Sequence, residues 1–247
     1  MPDYVAPRSD ADRLLYLKST LDMGRKDRQA GLACVDQATL DTVEGLIVKF
    51  DPAYLALNAK LGQRVKETEG KTNALADLQT IVRDFWEVSK RMVARKKLSS
   101  ALLAYYGLAQ DGSVPKSAAE TSWLDFAASL VKGDADAVAA GYPAMSNPSA
   151  AEVAAQLVLA QAEFNQVGTT DRAYDTAQEA VSTLRPQADA LIQEVMEQLR
   201  FNLRKKDEAS QRRIMRTYGA KFTYASGETP DEDAGGAPEP KPAEPAA

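Results

Sequence analysis

Cations gather in two stretches of this chain. Arg91, Arg95, Lys96 and Lys97 follow Arg83 and Lys90, so residues 83–97 hold six bases against Asp84 and Glu87, a net +4. Arg204, Lys205, Lys206, Arg212, Arg213 and Arg216 lie between Arg200 and Lys221, so residues 200–221 hold eight bases against Asp207 and Glu208, a net +6. Such clusters can bind anions: nucleic acid, a phospholipid surface or an acidic protein. The blander reading is a solvated helix face, with cations placed near helix C-termini where the macrodipole favours them.

Other chemistry is limited by what the chain lacks. It has no His and a single Cys34. Ser-His-Asp and Cys-His activation are therefore excluded, and so is a zinc site of the usual Cys and His type. Carboxylate-bridged di-iron bundles need Glu-x-x-His pairs, which cannot be completed here. No Gly-rich phosphate loop or calcium-loop spacing occurs. The acidic turns at Asp134/Asp136 and Asp231/Glu232/Asp233 are too short to specify a metal. Cys34 reads as a small buried thiol. No catalytic, cofactor-binding or metal-binding residue is assigned, and no cofactor is expected.

The elements that must position the cations read as helices. Ala, Leu, Glu, Lys, Gln and Arg dominate, and alternating strand patterns are missing apart from residues 221–225. Start signals recur. Ser9 with Asp12 and Asp36 are acidic-type caps. Asp51-Pro52 reads as an N-cap followed by Pro at the first helical position, and Ser117/Glu120 and Ser149/Glu152 read as capping boxes. Two coiled coil-like stripes stand out. The first is Leu75, Leu78, Val82, Phe85, Ser89 and Met92. The second is Ala177, Val181, Leu184, Ala188, Leu191, Val195, Leu199 and Leu203. Steps of three and four put each set on one helix face. Gly62, Gly70 and Gly168 either end helices or simply cost helix propensity, and Pro186 is expected to kink its helix or open a new one.

The stripes resemble each other. Residues 81–87 align with 191–197 at an offset of 110, and Lys90, Arg95 and Lys96 then meet Arg200, Lys205 and Lys206. Tyr106-Gly107 meets Tyr218-Gly219 two residues further out of step. Residues 37–50 and 150–163 share only a pattern. The reading is an internal repeat: helical halves that each end in a basic segment and a Tyr-Gly stop.

Charge marks the last boundary. Of 35 acids and 30 bases, six acids and one base fall in residues 226–247, leaving 29 of each before them. The excess of −5 belongs wholly to the tail. With Pro238, Pro240, Pro242 and Pro245, the tail reads as disordered. It is first a solubilising appendage. The second reading lays it on the adjacent basic cluster, where it would compete with anionic ligands.

The expected fold is all-α, an antiparallel helical bundle of two similar halves. The divisions are an N-terminal arm at 1–9, a first half at 10–115, a second at 116–225 and the tail at 226–247. The expected function is that of a non-catalytic structural protein, a scaffold or adaptor. It would act by protein–protein interaction or self-association through helical surfaces. The alternative is an anion-binding module contacting nucleic acid or a membrane surface through the two clusters. Nucleic acid is the less favoured partner, because a neutral body lacks the strongly basic domain such proteins show. No stretch reaches the ~18 apolar residues of a membrane span. No signal peptide is read at the N-terminus, so a cytoplasmic location is expected, with leaderless export left open.

Overall fold

The computed structural model describes residues 2–116 and 119–225. The Ser117/Glu120 capping box and the tail at 226–247 lie outside the described residues. The chain is predominantly helical: β1 (Asp3–Val5), α1 (Asp10–Gln29), α2 (Gln37–Ala94), α3 (Leu102–Tyr105), α4 (Thr121–Ala139), α5 (Ala150–Leu203), α6 (Glu208–Thr217) and β2 (Lys221–Thr223). Among the described residues, no helix is long and apolar enough to cross a membrane.

The helix starts follow the capping residues. Ser9 Oγ accepts from the Asp12 amide at 3.1 Å, and Asp36 Oδ1 accepts from the Thr39 amide at 2.7 Å. Ser149 and Glu152 form the reciprocal box, each side chain accepting from the other's amide at 2.7 and 3.2 Å. Asp207 caps α6 by accepting from the Ser210 amide at 2.9 Å.

Contacts group the chain into two compact units, Met1–Leu57 with Ala177–Ala247, and Asn58–Thr176. The divisions fall inside α2 and α5. Each unit therefore takes the start of one long helix and the end of the other.

In the first unit, α1 runs antiparallel to the start of α2. Lys18 pairs with Asp51 at 2.8 Å, and Arg25 with Glu44 at 2.6 Å. Asp10 and Arg13 hold α1 to α5 through Arg185 and Asp189. Leu17, Val43, Phe50, Val181, Val195 and Leu199 are fully buried between these helices. Each such side chain contributes roughly 1.5–3 kcal/mol on burial. β1 pairs antiparallel with β2, with Tyr4 opposite Phe222. Thus the N-terminal arm and the short 221–225 pattern make one two-stranded sheet. A three-residue strand is too short for its alternation to register.

In the second unit, the first stripe is the core. Leu78, Val82, Phe85 and Ser89 have no exposure, and Trp86 packs among Trp123 and Phe126. The Ser89 hydroxyl is satisfied by donating to the Phe85 carbonyl at 2.8 Å. α4 lies so close to α3 that a Cβ on Gly133 would run into the Tyr105 carbonyl.

No helix starts at Pro52 or Pro186, and none ends at the three candidate glycines. Pro52 and Pro186 sit inside continuous helices, and so do Gly62, Gly70 and Gly168. Asp51 pairs with Lys18 instead of capping. Around Pro186, which offers no amide to the preceding turn, Gln187 donates its side-chain amide to the Thr183 carbonyl at 3.2 Å. Each helix is held on both sides of the weak residue by buried apolar positions, and tertiary packing overrides local propensity.

The two Tyr-Gly pairs end short helices in the same way. Gly107 and Gly219 have φ of 72° and 100°, a region that suits glycine. The amides of Gly107 and Leu108 donate to the carbonyls of Ala104 and Leu103. Those of Gly219 and Ala220 donate to Arg216 and Met215, the positions 112 residues on.

Candidate interaction surface

The two basic clusters fall in different units. Arg91 is in the last turn of α2, and Arg95, Lys96 and Lys97 form the turn after it; all four are exposed. The helix unwinds at Lys96, whose φ is 56°. Arg204, Lys205 and Lys206 are exposed in the turn joining α5 to α6. Arg212, Arg213 and Arg216 follow on α6. The structure thus keeps each cluster together at a helix end and assigns the two clusters to separate units.

The second cluster is the better furnished. Two of its expected cations, Arg204 and Lys206, sit beside exposed apolar groups that composition did not reveal. Phe201 is 63% exposed, with the Arg204 guanidinium 3.9 Å from its ring centroid. Arg204 also donates to the Phe201 carbonyl at 2.6 Å. Leu32, in the loop joining α1 to α2, is 67% exposed. Two concave surfaces border these side chains. One, of about 620 Å³, is lined by Arg28, Val35, Asp36, Glu197, Gln198 and Phe201 among others. The other, of about 320 Å³, is lined by Met23, Asp27, Leu32, Cys34, Lys206 and Ile214 among others.

The loop that carries Leu32 is fixed from α5. Asn202 donates to the Cys34 carbonyl at 2.8 Å, and Gln198 accepts from the Asp36 amide at 2.9 Å. Burial pushes the Cys34 thiol pKa up, and neighbouring Asp27 adds to the rise. The thiol is therefore a poor nucleophile near neutrality and serves as part of an apolar wall.

On α6, Arg212 pairs with Glu208 at 3.5 Å and Arg213 donates to the Ser210 hydroxyl at 3.1 Å. Arg216 lies over the rings of Phe222 and Tyr224, 5.7 and 5.6 Å from their centroids. No group of three or more His, Cys, Asp or Glu suited to a metal occurs among the described residues.

Phe201 had a sequence signal. It falls between Leu199 and Leu203, two residues off the stripe, and so faces away from the core. Leu32 had none, since a single Leu in a loop is unremarkable. Comparison with protein-family models, curated proteins and solved structures finds no match to this chain.

Proposed function

We propose that the chain is a non-catalytic interaction protein that binds an acidic protein segment at the α5–α6 corner. The observation that carries this reading is the exposed Leu32 and Phe201, set between concave surfaces where Arg28, Arg204 and Lys206 stand beside Asp27, Asp36 and Glu197, with the exposed Lys205 adding to the cations. Buried aromatic and Arg anchors dominate interface energies, and concave apolar surfaces accept single side chains. A flat lipid surface would not enter them.

We also infer an internal duplication and an antiparallel bundle. The 112-residue correspondence of the Tyr-Gly hydrogen bonds supports the first. So do the ends of α1 and α4, where Gly31 and Gly141 follow the same capping pattern 110 residues apart. Local antiparallel pairings, such as Thr39 with Glu194 and Arg64 with Asp171, support the second.

The test is retention of a stoichiometric partner by full-length wild-type chain and by a Leu32→Ser/Phe201→Ser variant, together with mass in solution. Wild type should hold a partner or a second copy, and the variant should lose it with helix content unchanged. A strictly monomeric wild type without any partner overturns the reading. The anion-binding alternative rests on the exposed Arg91, Arg95 and Lys97. It predicts heparin retention with a steep salt dependence.

A further inference from the structure

We propose that residues 226–233 dock on the basic cluster of α6 and act as an internal ligand for it. This goes beyond the partner reading and does not depend on it. Three observations point to that occupant. The described chain ends at Ala225, and the preceding Tyr224 ring lies against Arg216 on α6, so the segment is tethered at a point beside the cluster. The segment that follows carries Glu228, Asp231, Glu232 and Asp233 with no base, whereas residues 200–221 are net +6. The reach is also sufficient. Eight extended residues span ~26 Å, while the ten residues of α6 are about 15 Å long.

Tethering decides between the two clusters. A segment joined a few residues from its site acts at an effective concentration on the order of millimolar. No such short tether leads to Arg91–Lys97, whose sequence separation from the tail exceeds a hundred residues. The attraction is between solvent-facing charges, so it weakens as salt shortens the Debye length from ~10 Å at 0.1 M to ~3 Å at 1 M. An anionic partner at α6 must then displace the tail, and its apparent affinity falls accordingly.

The test uses the isolated full chain carrying Cys34→Ser and Ala234→Cys, with a nitroxide on the new thiol. Amide signals of residues 208–217 should lose most of their intensity at low salt and recover it at high salt. In the same chain with Glu228→Gln, Asp231→Asn, Glu232→Gln and Asp233→Asn, the loss should vanish. An absence of broadening at α6 overturns the proposal. So does broadening that survives neutralisation of the four acids, or broadening confined to residues 91–97. Because no partner is present, failure here leaves the Leu32/Phe201 reading untouched.

Discussion

The Tyr106 hydroxyl donates to Asp134 Oδ1 at 2.9 Å, deep in the second unit, where Asp134 also accepts from the Met145 amide at 3.3 Å. The first unit has a counterpart. Tyr218 donates to Asp27 Oδ2 at 2.6 Å, and Asp27 is half-buried rather than buried. By the capping pattern at their helix ends, the two aspartates sit one turn apart on α4 and α1, so the tyrosines match and their acceptors do not.

Unequal burial gives unequal costs. Tyr106→Phe leaves a buried carboxylate with one donor fewer, and should cost about 1.5–3 kcal/mol. Tyr218→Phe frees a carboxylate that water can reach, and should cost about 1 kcal/mol. Tyr16→Phe provides the contrast, since its hydroxyl is buried without a protein partner and its loss should be neutral or stabilising. Denaturant midpoints of the three variants check the order.

Glycines inside helices separate in the same manner. A Cβ added at Gly168 would have nothing within 4 Å, whereas one at Gly133 would meet the Tyr105 backbone. Gly168→Ala should raise stability by about 0.5–1 kcal/mol through helix propensity. Gly133→Ala should lower it by about 1–3 kcal/mol or more, because α3 and α4 must separate. Equal shifts in melting temperature would contradict the close approach of the two helices.

Helix content, the caps at Ser9, Asp36 and Ser149, and both apolar stripes were legible because they depend on near neighbours. Leu78, Val82 and Phe85 are buried as their spacing requires, and Ser149 with Glu152 caps as its motif requires. What was not legible depends on distant residues. Nothing near Pro52 or Pro186 says that packing carries a helix through it. Nothing near Asp3 says that Lys221–Thr223 will be its strand partner. At the candidate surface the cations were legible as a run, whereas the exposure of Leu32 required knowing where its loop is held by Asn202 and Gln198.

Stability should be flat near neutrality and fall at both extremes. The Thr39 amide holds the Asp36 carboxyl below its usual range, Ser149 does the same for Glu152, and Ser210 for Asp207. A carboxyl depressed in the fold stabilises above the unfolded value near 4, and that contribution is lost as pH falls through the folded value. Burial raises Tyr106 and Tyr218 above the usual phenol range, with Asp134 and Asp27 adding to the rise. Their contribution is complete below the unfolded value near 10 and is lost as pH rises beyond it. Asp36→Asn keeps a good cap that does not titrate, so it should match wild type at pH 7 and lose less stability in acid. Thermal unfolding across the pH range checks both limbs.

Pro186 has an exposed ring in the interior of α5, and the Ser182 carbonyl, four residues earlier, has no amide to accept from at that position. Substitution by Ala restores a donor and removes a clash with that carbonyl, while no apolar burial is lost. Pro186→Ala should therefore stabilise the chain, by about 1–3 kcal/mol, less whatever entropy proline withholds from the unfolded state. Pro52→Ala in α2 should do likewise, since its ring is exposed as well. A loss of stability at either site would mean that a bend at the proline is itself required for the helix to keep its buried face inward on both sides.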